Sequence, residues 1–196
     1  MNKWQTRFDT DEYVFGKEPN EFIREAAKLY NPGPDILAIA EGEGRNAVYL
    51  AGHGNQVTIW DFAESGLAKA QQLAKENGVQ LATELKDLAE AAWPENQYDA
   101  VICVFGHFPP ELRARVLEGV RTAVKPGGLF ITEVYAKEQL AYGTGGPKEE
   151  DYLYSLADFD VFREWETLRL EQKEVERHEG TGHNGLSCVI QYAGRK

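Results

Sequence analysis

The sequence predicts an α/β fold: a doubly wound, mostly parallel seven-stranded sheet with an antiparallel C-terminal hairpin at one edge. Three observations carry this. Between Ile36 and Tyr135, short apolar runs alternate with amphipathic segments, the pattern of strands joined by right-handed helical crossovers. One run, YDAVICVF from Tyr98 to Phe105, is almost wholly apolar, as expected of a strand covered on both faces. The last third instead offers two long polar-alternating strands with no helix between them, which reads as an antiparallel pair.

The elements follow in order. A helix is expected from Asn20 to Leu29, opened by Pro19-Asn20 and ended by the breaker Asn31-Pro-Gly-Pro-Asp35. Ile36–Ala40 reads as the first strand, Arg45–Ala51 as a helix closed by Gly52-His-Gly54, and Val57–Trp60 as the second strand. Ser65 is placed to cap a helix running to Asn77-Gly78, with Leu67, Ala70 and Ala74 on one face. Val79–Thr83 is a weak third strand and Tyr98–Phe105 the fourth. Pro109-Pro110 opens a helix with Leu112, Val116, Val120 and Val124 every four residues; Lys125-Pro-Gly-Gly128 stops it before the fifth strand, Leu129–Tyr135. Gly143-Thr-Gly-Gly-Pro147 is a glycine-rich loop, followed by a helix around Ser155–Phe162. Strands Glu166–Arg177 and Gly185–Ala193 are joined through His178-Glu-Gly-Thr-Gly-His-Asn184. The expected organisation is one domain over 1–196: an N-terminal lid and helix (1–34), a cofactor-binding core (35–135) and a substrate-side loop, helix and hairpin (136–196).

With 42% hydrophobic residues in 196, the chain is long enough for one well-packed core. The net charge of −11 opposes phosphate backbones and anionic membranes, so the expected partner is a small molecule, not nucleic acid or lipid. No basic start precedes an apolar run and no apolar stretch approaches membrane-spanning length, which points to the cytoplasm. Cys103 and Cys188 sit in apolar contexts expected of buried thiols. The composition is silent on oligomeric state.

The turn after the first strand carries the chemistry. Gly42 and Gly44 let the backbone approach a ligand where a β-carbon would clash. The following helix aims free N–H groups at it. Asp61, ending the second strand, has two acceptor oxygens for the hydroxyls of a ribose. As spacing alone, Gly42-x-Gly44-x-x-Ala47 with Asp61 nineteen residues after Gly42 also suits a dinucleotide. A nicotinamide-dependent oxidoreductase therefore stays open at this point, as does a binding module without catalysis. Tyr13-x-x-x-Lys17 imitates a catalytic pair but lies before the nucleotide strand.

The wider pattern narrows this. The stretches WQTRF (Trp4–Phe8), YVFGKEPNEF (Tyr13–Phe22), EGEGRNAVYLA (Glu41–Ala51), GHFPPELR (Gly106–Arg113) and KPGG (Lys125–Gly128) occur in this order along most of the chain. Together they resemble the class I S-adenosylmethionine-dependent methyltransferases, and within them the small tellurite-resistance and thiopurine or thiol methyltransferase type. The resemblance implies a Rossmann-like fold, S-adenosylmethionine as cofactor and a thiol or chalcogen oxyanion as acceptor. It implies that Gly42 and Gly44 hold the methionine end, Asp61 the ribose, and Asp87 with Leu88 the adenine. Phe62 would offer the adenine an apolar face, Arg45 and Asn46 would begin the helix beside the ligand, and Arg7 would meet the methionine carboxylate.

The chain departs from the family pattern at Ala38 and Ala40, where an acid and a glycine are usual. Ala40 is a mild change if it keeps negative φ, and Glu41 is the expected substitute for the acid missing at Ala38. Since ligands of open sheets lie beyond the carboxyl ends of strands, Val104–Phe108 and Tyr135 are expected at the rim, with Tyr13 and Phe15 covering the cofactor. His107 is the expected proton acceptor or nucleophile-orienting group. His178 and His183 lack a third ligand for a metal, and His53 reads as a helix-end residue.

Overall fold

The computed structural model describes residues 3–180 and 182–196, so Thr181 of the expected 178–184 connection lies outside the described residues, as do Met1 and Asn2. Helices α1 (Lys3–Phe8) and α2 (Glu21–Tyr30) precede β1 (Asp35–Ile39). Then come α3 (Arg45–Gly52), β2 (Gln56–Asp61), α4 (Glu64–Glu76), β3 (Ala82–Leu85), β4 (Tyr98–Val104), α5 (Pro110–Ala123) and β5 (Val124–Tyr135). Three 3₁₀ turns (Lys137–Ala141, Glu150–Tyr152, Leu156–Phe162) lead to β6 (Glu166–Glu179) and β7 (His183–Arg195).

The seven strands form one sheet in the order β3-β2-β1-β4-β5-β7-β6. The first five are parallel, and β7 runs antiparallel between β5 and β6. A dinucleotide fold of the doubly wound kind would carry a parallel sixth strand there. Side chains of β1 alternate between the two faces. Ile36 and Ala38 pack with Phe22, Ile23, Ala47 and Ala70 under α2–α4, whereas Leu37 and Ile39 join Val116, Val120, Phe130 and Phe162 under α5. Among the described residues no helix is long and apolar enough to cross a membrane.

Six elements differ from expectation. Helix α4 has Ala63 at its N-cap, so Ser65 lies inside its first turn. Strand β5 begins at Val124, so Lys125-Pro-Gly-Gly128 lies within it. Trp4–Phe8 forms α1, which has too few residues for its periodicity to show. The third strand begins at Ala82, because Val79 spends its N–H on Ala74 at the end of α4. The segment 155–162 winds as a 3₁₀ turn, Leu156–Phe162, opened by a capping box of Ser155 and Asp158. The hairpin is longer: His178 pairs with Asn184 and Glu179 with His183, so most of the expected connection is ladder.

Candidate active site

The turn leaving β1 is built from left-handed residues. Gly42 has φ +61° and Gly44 φ +83°. A β-carbon on Gly44 would lie 2.5 Å from that of Ala70, so only glycine lets α3 and α4 close up here. Ala40 has φ +50°, with its N–H held by Trp60 O at 2.8 Å. The negative φ expected of Ala40 is thus corrected: it occupies a conformation that suits the glycine usual at this position.

Asp61 ties the rim together. Its Oδ2 accepts from Gly42 N–H and its Oδ1 from Ala63 N–H, both at 2.8 Å. Phe62 N–H is a third backbone donor, which leaves about one of the carboxylate's roughly four acceptor sites. Burial pushes the carboxyl above its usual range, against those backbone donors.

Glu41 is employed differently from the expectation. Its Oε1 accepts from the N–H groups of Asn46 (2.8 Å) and Ala47 (2.9 Å), and its Oε2 from Asn46 Nδ2 at 3.2 Å. Gly44 has no side chain with which to cap α3, and Glu41 supplies that cap from the turn. Glu43 is also committed: it pairs with Lys69 at 2.6 Å and accepts from Val14 N–H at 2.9 Å.

Residues 3–19 lie across this turn as a strap. The Phe8 ring stands over Gly42 and Gly66, where added β-carbons would meet it at 2.8 and 3.0 Å. Gln5 fastens α1 to Ser65 by two hydrogen bonds, and Tyr13 donates to Lys69 O. Arg7 is exposed and faces the Trp4 and Phe15 rings, 5.2 and 5.1 Å from their centroids. Phe62 remains 41% exposed beside Asp61, an apolar face at the rim. Asp87 is exposed just past β3, holding Ala89 N–H at 2.9 Å, while Leu88 is buried on the α5 side with Trp60.

The ends of β4 and β5 bring aromatic rings together. Val104 is buried, and Phe105 adopts φ +54° with its N–H on Glu133 O. This strained backbone turns its ring onto Tyr135, 4.7 Å between centroids. His183 packs against Phe15, Phe105 and Tyr135 at 4.5, 4.4 and 5.4 Å. Gly145 and Gly146 lie on Tyr135, where β-carbons would reach within 3.0 and 2.8 Å. The glycine-rich loop therefore shapes this wall. Among the described residues, Tyr135 Oη and His183 Nδ1 are buried with no close hydrogen bond, His183 Nδ1 lying 3.7 Å from Glu179 Oε2 and Tyr135 facing Ser187.

His107 does not present a free lone pair. Its Nδ1–H donates to Tyr152 O at 2.9 Å, and its Nε2 accepts from Tyr135 N–H at 3.4 Å. Burial brings its pKa down to about 4, so the ring is neutral. The proton-acceptor role expected of it gives way to that of a fixed wall.

Sequence reasoning missed a buried polar network. Glu133 accepts from Asn20 Nδ2 (2.7 Å), Gln191 Nε2 (2.7 Å) and Arg177 Nη2. Arg177 Nη1 reaches Glu179 Oε1 at 3.0 Å, and Glu179 Oε2 meets Arg45 Nη2 at 2.8 Å. Burial would raise the Glu179 carboxyl, but His183, Arg45 and Arg177 outweigh it and hold it down at about 2. Glu133, a lone acid in the apolar run LFITEVY, was the available signal. Among the described residues no group of three or more acids, cysteines or histidines could hold a metal.

Residues 36–128 match the methyltransferase-domain family. Over 177 residues the chain is 25% identical to the probable S-adenosyl-L-methionine-dependent methyltransferase TehB of Haemophilus influenzae, covering 87% of this chain and 59% of that relative. The chain thus spans about three-fifths of the relative's length. The crystal structure of TehB from Haemophilus influenzae superposes with a TM-score of 0.73 at 19% identity, over 98% of this chain and 65% of that one. A structure from work on the conversion of a disulfide bond into a thioacetal group during echinomycin biosynthesis gives a TM-score of 0.79 at 17% identity, over 97% and 88%. These identities speak for the fold. Residues 36–128 match the methyltransferase-domain family, and the whole chain shares the fold of the TehB structure.

Proposed function

We propose that this protein, as one domain, transfers the methyl group of S-adenosylmethionine to a small-molecule acceptor in the cytoplasm, the acceptor being a thiol or a chalcogen oxyanion. The observation that carries the reading is the Gly42–Asp61 tie at the carboxyl ends of β1 and β2. It sets a glycine turn and a carboxylate with a remaining acceptor site at one rim.

The residues present fit the cofactor on its sugar side. Asp61 would take the ribose hydroxyls, Phe62 and the segment at Asp87–Leu88 would face the adenine, and Gly42 and Gly44 keep β-carbons out of the approach. At the methionine end Phe8 covers Gly42, so binding goes with displacement of α1. When bound, S-adenosylmethionine supplies a methyl made electrophilic by its sulfonium.

The protein's share is alignment and exclusion of water. Phe15, Phe105, Tyr135 and His183 wall the acceptor side, and an aromatic wall favours a nearby sulfonium through its ring faces. A thiolate or oxyanion acceptor arrives deprotonated and needs no base. Glu41, Arg45, Asn46 and His107 hold the site in shape, while Arg7 and Val104 border it.

Calorimetry with S-adenosylhomocysteine tests the cofactor, with NAD as comparison. Methyl-labelled cofactor with thiols, selenium and tellurium oxyanions and phenols then tests the acceptor. Binding of NAD alone, or transfer only to phenols, would reject the respective half.

A further inference from the structure

We propose that Glu179 is a positioning residue that couples the cofactor turn to the acceptor wall, an inference resting on the methyltransferase reading above. Its two oxygens face two different parts of the site. Oε2 holds Arg45, the first residue of α3 after the glycine turn, at 2.8 Å, and Oε1 holds Arg177 of β6 at 3.0 Å. Arg177 in turn reaches Glu133 on β5, two residues before Tyr135 at the end of that strand. His183 lies four residues on from Glu179, with Nδ1 3.7 Å from Oε2, inside the ring cluster.

The side chains are too buried for this to be a surface pairing. Arg45, Arg177 and Glu179 side chains are at most 10% exposed. Removing one partner from such a pair strands a buried charge, so the arrangement holds or yields as a unit. Asn20 adds the strap to the same unit: it donates to Glu133 and, at 3.3 Å, to Glu179, while its N–H meets Asn46 Oδ1 at 2.8 Å.

The backbone repeats the connection. Gly182 N–H donates to Val14 O at 3.2 Å. A β-carbon on Gly180, at φ +59°, would lie 2.4 Å from Val14 O and 2.6 Å from Gly16 N. Hairpin, strap and glycine turn therefore meet at one carboxylate, and a ligand that fixes the turn fixes the wall.

Hydrogen exchange of the full chain with and without S-adenosylhomocysteine tests this. In the parent protein the ligand is expected to slow exchange at 41–47 and also at 177–180 and 182–186. Glu179→Gln is expected to bind within about threefold of the parent and to keep the protection at 41–47, while losing about fivefold or more of it at the hairpin. Glu179→Asp, which keeps the charge at shorter reach, should recover part of it. A purely structural role would change exchange in the free protein and leave the ligand-induced difference intact. Equal hairpin protection in Glu179→Gln, or parent protection confined to 41–47, overturns the proposal. No ligand-induced change anywhere in the parent rejects the cofactor reading and the coupling together. Should Glu179→Gln fail to fold, Glu179→Asp decides: hairpin protection below the parent's with 41–47 unchanged supports the proposal, and parent-level hairpin protection overturns it.

Discussion

The N–H of Gly42 donates to Asp61 Oδ2 at 2.8 Å, and this bond ties the end of β2 to the turn that leaves β1. The other oxygen holds Ala63 N–H, so one carboxylate fixes both loops of the rim. Asp61→Ala leaves three backbone donors, Gly42, Phe62 and Ala63, without their acceptor. The expected cost is on the order of 2–3 kcal/mol, seen as a lower melting temperature. Affinity for S-adenosylhomocysteine should fall at least about tenfold, roughly one charged hydrogen bond. Unchanged affinity in calorimetry would remove Asp61 from the ribose.

Glu41→Gln separates capping from ligand binding. The amide keeps an oxygen for the N–H groups of Asn46 and Ala47 but turns its NH2 onto Asn46 Nδ2, so stability should fall by about 1–3 kcal/mol. Affinity for S-adenosylhomocysteine should stay within about threefold, since the carboxylate is spent on α3. A tenfold loss would return Glu41 to the role of the acid missing at Ala38.

Ala40→Gly should stabilise the protein. Ala40 sits at φ +50°, a conformation costing an L-residue about 1–2 kcal/mol, part of which glycine gives back as unfolded-chain entropy. The expected net gain is about 0.5–1 kcal/mol, or roughly 1–4 °C by calorimetry. A lower melting temperature would show that the methyl group's packing outweighs its strain.

Phe8→Ala should speed cofactor-side binding. The ring rests on Gly42 and Gly66, and on the proposed reading the cofactor displaces it. In stopped-flow mixing with S-adenosylhomocysteine the association rate should rise several-fold, with a modest loss of stability localised to α1. An unchanged rate would mean that α1 does not gate the turn.

Acid destabilises the fold through His107, His183 and Glu179, in two stages, while the burial-raised carboxyls of Asp61 and Glu41 act in the opposite direction. His107 titrates at about 4 when folded, below the ~6.5 of a free imidazole. The unfolded chain therefore takes up that proton first, and stability falls as pH drops from about 6.5 to about 4. His183, also lowered by burial, adds to this in the same direction. Glu179, held at about 2, adds stability above the ordinary carboxylate range that is lost as pH falls towards 2. Melting temperature against pH for His107→Gln should be flatter between about 6.5 and 4 and unchanged in slope below. The same slope as the parent in the upper window would mean that His107 is not the group titrating there.

Much of the parallel sheet was legible because its signals are local. Apolar period, glycine breaks and the acid after β2 each depend on a few neighbouring residues, and β1, β2, β4 and α3–α5 lie where those signals place them. Gly42, Gly44 and Asp61 were found for the same reason. Glu41 was visible as a residue but not as a cap, since capping depends on where its side chain folds back.

By itself, the sequence determined the α/β class, the antiparallel closing hairpin and the meeting of a glycine turn with Asp61 at the carboxyl ends of β1 and β2, because hydrophobic period and turn chemistry act within a few residues of the chain. Only the tertiary structure decided that His107 is bound up by Tyr152 and Tyr135, that Phe8 lies over the turn, and that Arg45 answers to Glu179. These partners are 28 to 134 residues apart in the chain, and an ion pair or ring contact across such a distance leaves no periodic trace in either segment.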